Sequence, residues 1–599
     1  MKETKLNAYK ERIAELCVLE KKQESVLKKI RISRILTFLI LTGLIIVSLY
    51  ENSGIILWFC LIPFVGFALL LLKNRKESSI LLLIKNKIKT NQEEIQYLHS
   101  DFSAFNDGAD FINSEHNFSH DLDVFGTGSL FQSINRTSSP DSATRLAQLL
   151  QNPFTSQEEI DERQKGIEEL SSKWKWREEF RARAKQFPIT DNDARLVSLW
   201  KKEEITGFEN IKLWQILLVG VPLFMCSMLV MAYYELIPWG MTILATIIPL
   251  GLVGKKLKLI NEQHAKISRF LAVLRQNSQL TKLIEDEVFV TSTLIHFQQQ
   301  LKNTNSIASI EIGKLAKLTQ QLDNRSNPVF AILMNALFIW DLYYLFQLKK
   351  WLNKNENNLK NWFEVVHNLE TYLSLATYSF NNPSYQKAIP SSIAIIKTKN
   401  LAHPLLPSKS RVTNNFEATN LQEFVIITGA NMAGKSTFLR AVGINLILAN
   451  CGAPVCAESF YFKPIQLFSS MRTSDSLKNN ESYFYSELKR LQTIVEKLKS
   501  GEELFVILDE ILKGTNSKDK AEGSKKFVKQ LLNYQVTGII ATHDLSLCTL
   551  KEEFPEQIEN HYFDVEIEDD QLVFDYKLKK GICSNMNAEF LMKKMGITD

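Results

Sequence analysis

Two long apolar segments constrain this chain more than any other feature of its 599 residues. They run over 35–72 and 213–253, and each is interrupted near its middle, at 51–54 and at Glu235 respectively. Each half is close to the ~20 apolar residues that an α-helix needs to cross a bilayer. The sequence therefore predicts four transmembrane helices in two tight hairpins, in preference to two buried hairpins of a soluble protein.

Basic residues flank the outer ends of both apolar segments, whereas the tips carry only Glu51 and Glu235 as charges. By the positive-inside rule, the tips face outward and every long segment lies in the cytoplasm. We therefore predict a multi-pass protein of the cell membrane, with its N-terminus and its remaining domains in the cytoplasm. The flanking cations are Lys28, Lys29, Arg31, Arg34, Lys73, Arg75, Lys76, Lys201, Lys202, Lys212, Lys255, Lys256 and Lys258.

Apolar residues recur at helical spacing on both sides of the first hairpin, which predicts an antiparallel helical stalk on its cytoplasmic side. The polar stretch 101–125 is predicted as a loop, and most of 126–210 and 255–372 as helices. The apolar run 336–346 contains Asp341 and is too short to span a bilayer, so we expect it in the protein core.

The overall composition excludes little. Lysine and arginine number 71 against 66 acidic residues, and the resulting net charge of +5 neither requires nor excludes a nucleic-acid partner. The seven cysteines form no C-x-x-C pair, so the sequence suggests neither a disulfide framework nor a structural zinc site.

A phosphate-binding loop is predicted after a short β-branched and aromatic strand over 424–428. The sequence there reads G-x-x-x-x-G-K-S and leads into a helical pattern through Asn450. Backbone N–H groups of such a loop and the following helix N-terminus bind phosphate. Lys435 would contact the β- and γ-phosphates, and the Ser436 hydroxyl would bind Mg²⁺. The predicted loop residues are Gly429, Ala430, Asn431, Met432, Ala433, Gly434, Lys435, Ser436 and Thr437.

Two further buried strands end in polar residues. Strand 504–508 leads into Asp509 and Glu510, and strand 537–542 leads into His543. Polar side chains at the carboxyl ends of strands meet at the crevice of an open α/β sheet. Asp509 is the expected Mg²⁺ ligand beside Ser436. We predict that Glu510 polarises the attacking water and that His543 senses the γ-phosphate.

These motifs resemble those of the MutS family. Residues 428–437 read T-G-A-N-M-A-G-K-S-T, where that family typically has T-G-P-N-M-x-G-K-S-T. The L-D-E at 508–510 and the A-T-H at 541–543 are similar to the family's motifs, and the likeness extends over about 126–200 and 260–599. The resemblance implies an α/β ABC-type P-loop ATPase domain joined to an all-α core and lever.

The resemblance also implies cofactors and partners. ATP and Mg²⁺ would bind between two copies of the chain paired through their ATPase domains, with Ser482 of one copy reaching the nucleotide of the other. Asn414 falls near the family's nucleotide-edge asparagine. DNA is the partner that the family suggests, for mismatch repair or for sensing DNA structure.

The chain departs from the family in two places. No mismatch-reading domain is evident before the helical core, and the apolar segment 213–253 interrupts the region that would extend toward DNA-gripping clamps. We therefore predict a membrane-anchored MutS-type ATPase that binds DNA. The alternative is an ATP-driven membrane device acting on a protein or lipid partner without DNA. A transporter ranks last, because the membrane arms lack polar pathway residues.

The predicted organisation has seven parts. They are a helical stalk (1–34), hairpin 1 (35–72), a stalk and loop (73–125), the first part of the helical core (126–212), hairpin 2 (213–253), the helical lever and second part of the core (254–385), and the ATPase domain (386–599).

Overall fold

The computed structural model describes residues 2–51, 58–190, 208, 210–268, 270–303, 306–392, 394–430, 432–472, 483–513, 516–568 and 571–583. Helices dominate up to residue 381, and a mixed α/β region follows. The described α-helices are α1 (Lys2–Tyr50), α2 (Leu61–Leu98), α3 (Leu130–Ile134), α4 (Pro140–Gln151), α5 (Gln157–Ser172), α6 (Trp174–Ala184), α7 (Ile211–Tyr233), α8 (Trp239–Ala245), α9 (Ile247–Lys255), α10 (Leu257–Ser268), α11 (Leu271–Asp286), α12 (Ser292–Leu301), α13 (Ala308–Asp323), α14 (Pro328–Phe338), α15 (Trp340–Asn381), α16 (Lys435–Asn450), α17 (Tyr483–Lys499), α18 (Ser517–Leu531) and α19 (Leu550–Glu553).

The described strands lie mostly in the α/β region. They are β1 (Lys302–Asn303), β2 (Ser306–Ile307), β3 (Ile389–Pro390), β4 (Ile396–Leu401), β5 (Asn414–Ala418), β6 (Phe424–Gly429), β7 (Ser459–Phe462), β8 (Gln466–Ser470), β9 (Leu504–Asp509), β10 (Val536–Ala541), β11 (Ile558–Phe563), β12 (Glu566–Glu568), β13 (Gln571–Val573) and β14 (Leu578–Lys580).

Helices α1 and α2 pack side by side and antiparallel, as a helical stalk requires. The rings of Phe38 and Phe67 lie 6.2 Å apart near one end of the pair. Further along, Gln23 Nε2 donates a hydrogen bond of 2.6 Å to Glu77 Oε2. Lys85 then pairs with Glu20. The two helices therefore run alongside each other from the first apolar segment down to the helical core.

Of the four predicted transmembrane helices, the described residues contain two, α1 and α7, that are long and apolar enough to cross a membrane, or three if the bent pair of α14 and the start of α15 forms one span. Helix α2 is apolar only as far as Leu72, after which Lys73 and further cations follow. The second arm of hairpin 2 breaks at Thr246 into α8 and α9. Pro249 explains that break, because its ring excludes a helical bond to the carbonyl of Ala245.

A buried polar cluster fixes the base of the stalk to the core. The carboxylate of Glu94 in α2 accepts a hydrogen bond of 2.8 Å from Arg136 Nε and also pairs with Arg181 of α6. Asn381, at the end of α15, donates to Glu94 and accepts from Tyr9 of α1, at 2.7 Å and 2.8 Å. Burial alone would raise the pKa of Glu94, but the two guanidinium groups outweigh it and hold the pKa at about 2.

The predicted loop 101–125 is irregular apart from one 3₁₀ turn, Ala109–Phe111. The 42-residue helix α15 packs along α4, α5 and α13 and so connects these helices of the core. Within the run 336–346, Leu342, Leu345 and Phe346 are buried as predicted. The run is not one helix, however, because α14 ends at Phe338 and α15 begins at Trp340 after a bend of 79°.

The α/β region contains a six-stranded sheet in the order β14-β11-β6-β10-β9-β8. All its pairings are parallel except that between β11 and β14. A four-stranded sheet, in the order β3-β7-β4-β5, lies beside it. Strands β6, β9 and β10 are almost entirely buried, as their continuous apolar sequences require for a parallel sheet covered on both faces.

Candidate active site

The three predicted strand-end motifs meet at one edge of the six-stranded sheet. Strand β10 pairs in parallel with β6 on one side and β9 on the other, so their carboxyl ends lie together. Gly429 ends β6, Asp509 ends β9, and His543 follows β10. The strand, loop and helix predicted around the phosphate-binding motif are confirmed, since β6 leads through the loop into α16.

Two glycines permit the tight turn of the loop. Gly429 has φ of +144°, and a Cβ built on it would lie 2.6 Å from the carbonyl oxygen of Phe563. Gly434 has φ of +107° and precedes the first residue of α16. Because only glycine adopts these conformations without strain, the loop can turn its backbone toward the helix N-terminus.

Lys435 and Ser436 lie at the start of α16 and point into the crevice. The Lys435 ammonium donates to the carbonyls of Gly429 and Ala430 at 2.7 Å and 2.9 Å. The Ser436 hydroxyl donates to Asp509 Oδ2 at 2.7 Å. Burial lowers the pKa of Lys435, while the nearby carboxylates oppose that change. A hydroxyl and a carboxylate oxygen at this separation form a donor set that suits Mg²⁺.

Glu510 and His543 form a second pair beside the first. Glu510 Oε1 lies 3.2 Å from His543 Nε2, which is also 3.3 Å from the Lys435 ammonium. Glu510 has a left-handed backbone, with φ of 53°, and its N–H donates to the Ala541 carbonyl at 2.8 Å. Burial lowers the pKa of His543, and the Lys435 charge lowers it further. The lowered pKa favours the neutral imidazole, which donates a hydrogen bond at one nitrogen and accepts one at the other.

A cavity of about 680 Å³ opens from this crevice. That volume lies within the range of small-ligand sites. Its lining includes the charged side chains of Lys435 and Glu510 and the apolar side chains of Leu401, Phe438 and Tyr576. The site therefore has a charged part that suits phosphates and an apolar part that suits a ring.

Asn414 and His403 also line the cavity. The Asn414 side chain bonds to the closing segment of the domain, donating to the Tyr576 carbonyl at 3.0 Å and accepting from the Leu578 N–H at 2.8 Å. The His403 ring accepts from the Leu405 N–H at 3.3 Å, and burial together with Arg440 lowers its pKa to about 4. Asn414 therefore fixes the wall of the site, and its predicted contact with a nucleotide stays a prediction.

Comparisons with known proteins agree with this geometry. Residues 425–590 match the family model described as MutS domain V. This region of the chain is therefore similar to domain V of the MutS family.

Similar proteins include MutS protein homolog 4 of Homo sapiens, which is 31% identical over 31% of this chain and 20% of its own length. The DNA mismatch repair protein MutS of Thermotoga petrophila is 31% identical over 38% of this chain and 28% of its own length. The DNA mismatch repair protein MSH3 of Debaryomyces hansenii is 24% identical over 58% of this chain and 37% of its own length. The chain thus aligns with a minor part of each of these three relatives.

Some predicted MutS-type residues lie outside the described part of the chain. Asn431 of the loop and Ser482 are among these residues. Nearby, Glu487 of α17 is buried and accepts hydrogen bonds from the backbone N–H groups of Leu512 and Lys513, at 2.6 Å and 3.0 Å. This carboxylate fixes the turn that follows Glu510.

The MutS-type domain also contacts the loop that follows the stalk, and no local sequence pattern indicated this contact. The buried carboxylate of Asp121 accepts from the Ser469 hydroxyl at 2.7 Å and from the Arg472 N–H at 3.0 Å. It also pairs with Arg490 of α17 at 3.1 Å. Two residues on, Asp123 pairs with the Arg472 side chain at 2.6 Å. Asp121 therefore contacts the chain on both sides of 473–482, the stretch that ends at Ser482.

Proposed function

We propose that this protein is a membrane-anchored MutS-family ATPase that binds and hydrolyses Mg-ATP and couples the reaction to its helical core and stalk. The observation that carries the proposal is the convergence of Lys435, Ser436, Asp509, Glu510 and His543 at one sheet edge, in the domain that matches MutS domain V.

Each of these site residues has a separate role in the proposed hydrolysis. Lys435 binds phosphate oxygens, for which it exchanges its present carbonyl partners. Ser436 and Asp509 would hold Mg²⁺, which neutralises phosphate charge when it is bound. Glu510 orients the attacking water and accepts its proton, and His543 holds the Glu510 carboxylate through their 3.2 Å contact. The buried, converging dipoles act by positioning and electrostatic stabilisation.

The proposed site is completed by a second copy of the chain. In our proposal, Ser482 of the partner copy reaches the nucleotide there, and ATP binding closes the dimer. Closure would move Asp121 and the loop that joins the MutS-type domain to α2.

The membrane anchor rests on α1 and α7, whose most apolar 18-residue windows both have a mean hydropathy of 2.3. The basic flanks of the apolar segments favour a cytoplasmic ATPase domain. DNA is the proposed ligand, because two of the relatives are named as DNA mismatch repair proteins. The second candidate is an ATP-driven device acting on a protein or lipid partner. It is favoured by the rigid connection from the core to the stalk through Glu94 and Asn381.

ATP turnover of the detergent-solubilised protein tests the enzymatic part. We expect Glu510→Ala to bind ATP normally but to lose at least about 100-fold in turnover, the usual contribution of a positioned general base. Glu553→Ala is the matched control, because the Glu553 side chain is exposed at the end of α19 and pairs only with Lys529 among the described contacts. Equal turnover in wild type and Glu510→Ala would refute the role of Glu510.

The DNA part needs a separate measurement. Turnover is compared with duplex, branched and mismatched DNA over a salt series, since phosphate contacts weaken steeply as salt rises. Stimulation by DNA that disappears at high salt supports DNA binding. Equal stimulation by duplex and mismatched DNA refutes the recognition of mismatches but still supports DNA binding. Turnover that no DNA changes favours the device that acts on a protein or lipid partner.

A further inference from the structure

Helix α14 exposes an apolar surface that the function proposed above does not use. Its eleven residues include Val329, Ile332 and Leu333, whose exposed fractions are 66%, 61% and 53%. No residue of α14 is charged, and its N-terminus is capped by Asn327. Contiguous apolar surface of this kind marks a contact with another apolar phase or partner.

The neighbours of α14 indicate which phase this is. It packs against α7 and α9, the two sides of the second apolar segment. Helix α7 exposes Ile216, Val219 and Leu223, so the apolar surfaces of the two helices adjoin. A bilayer around α7 therefore extends over α14 unless another protein covers it.

The corner after α14 is rigid. Ile339 has a left-handed backbone with φ of 43°, and the bend to α15 is 79°. Asn335 and the buried Asp341 exchange hydrogen bonds of 3.0 Å and 2.9 Å across the corner. Arg325 pairs with the same carboxylate at 3.1 Å, which compensates its buried charge. The corner therefore keeps α14 at a fixed angle to α15.

Aromatic residues gather at the same corner. Trp340 packs its ring 4.6 Å from Tyr344 and 5.5 Å from Phe330, and Tyr343 packs against Tyr344. Tryptophan and tyrosine are enriched where a protein passes between the acyl chains and water. Their position at the start of α15 indicates that the membrane boundary lies near the corner.

We propose that α14 is embedded in the acyl region of the bilayer beside α7 and leaves on the side from which it entered. The proposal rests on the membrane anchoring proposed above. Eleven helical residues extend about 16 Å, roughly half of the ~30 Å hydrocarbon core, so α14 alone cannot cross. Helices α13 and α15, which precede and follow it, both pack in the helical core. Helix α15 therefore links the bilayer at Trp340 to the stalk base and the MutS-type domain at Asn381.

Fluorescence quenching by lipids in reconstituted vesicles tests this inference. The described cysteines that are not buried, Cys17, Cys60 and Cys226, are replaced by serine. An environment-sensitive fluorophore is then attached to a single introduced cysteine, Ile332→Cys. Lipids carrying a quencher on the acyl chain are compared with unlabelled lipids, and a water-soluble quencher is used in parallel.

Two matched positions keep the outcomes distinct. Val219→Cys on α7 tests the anchoring itself. Val290→Cys is a control, because this aliphatic residue is 81% exposed in the helical core, away from α7 and α14. We expect lipid quenching at 332 to be comparable to that at 219, and absent at 290.

Each of the other possible results refutes either the embedding of α14 or the membrane anchoring on which it rests. Lipid quenching at 219 but not at 332 refutes the embedding of α14 and leaves the anchoring intact. Position 332 protected from both quenchers means that a second copy or another protein covers α14, which also refutes the inference. Absence of lipid quenching at all three positions refutes the anchoring together with the inference.

Discussion

Replacing Asp121 by alanine should weaken the MutS-type domain and slow its turnover. The side chain is 1% exposed and is the partner of Arg490, and it accepts three further hydrogen bonds, from Ser469, Met471 and Arg472. Removing one member of a buried ion pair costs about 3–5 kcal/mol of folding free energy. Arg490 keeps bonds to backbone carbonyls at 2.9 Å and 3.1 Å, which favours the lower end, about 3 kcal/mol.

The loss is measured by calorimetry of the solubilised protein. Tryptophan fluorescence would not report it, because the last tryptophan in the chain is Trp362. For a domain of about 200 residues, 1 kcal/mol shifts the melting temperature by about 2–4 °C, so we expect a fall of about 6–12 °C. Asp123→Ala is the matched control, since Asp123 is 44% exposed and its pair with Arg472 is worth at most about 1 kcal/mol.

The catalytic consequence is separable from stability. Asp121 holds both flanks of 473–482, so its loss should lower kcat, measured well below the melting transition, by more than it changes KM for ATP. A melting temperature within the range of Asp123→Ala would refute the energetic reasoning. A large fall in melting temperature with unchanged kcat would leave Asp121 a purely structural residue.

The remaining predictions concern the cavity. Lys435→Ala should raise the Kd for ATP about 10–100-fold in isothermal titration, because it removes a charged hydrogen-bond donor worth about 1.5–3 kcal/mol; unchanged affinity would contradict its phosphate role. Ser436→Ala should raise the Mg²⁺ concentration needed for half-maximal turnover, and an unchanged requirement would exclude its hydroxyl as a ligand. The folded-state pKa of His403, about 4, lies below the unfolded value of about 6.5, so the unfolded chain binds the extra proton. The free energy of unfolding should therefore fall by up to about 3 kcal/mol between pH 6.5 and pH 4. Calorimetry should find this pH dependence reduced in His403→Asn.

Local sequence predicted the centre of the site well. The strands that end at Gly429, Asp509 and Ala541 are continuous apolar runs. Within a few residues of the first strand, the glycines mark the turn and Lys435 marks the start of the helix. Parallel pairing then brings the three strand ends together without further information. For this reason the pairs Ser436–Asp509 and Glu510–His543 follow from short-range patterns.

Long-range contacts could not be predicted in the same way. Asp121 meets Arg472 across 351 positions of the chain, and nothing in the polar loop around Asp121 distinguishes it from a solvated carboxylate. In the membrane segments, hydropathy counts apolar residues but does not register the break that Pro249 imposes. Hydropathy likewise does not register the left-handed backbone at Ile339, which separates two helices within the run 336–346.

The cluster at the stalk base has a consequence for how the protein is made. Tyr9 donates its hydrogen bond to Asn381, which lies 372 positions later. A ribosome adding about 5–20 residues per second needs roughly 20–70 s to make that stretch. Glu94 gains Arg136 and Arg181 early in this interval, so its charge is compensated soon after synthesis. The hydroxyl of Tyr9 gains this partner only when α15 is complete, so the nascent stalk cannot acquire its final packing until the helical core has been synthesised.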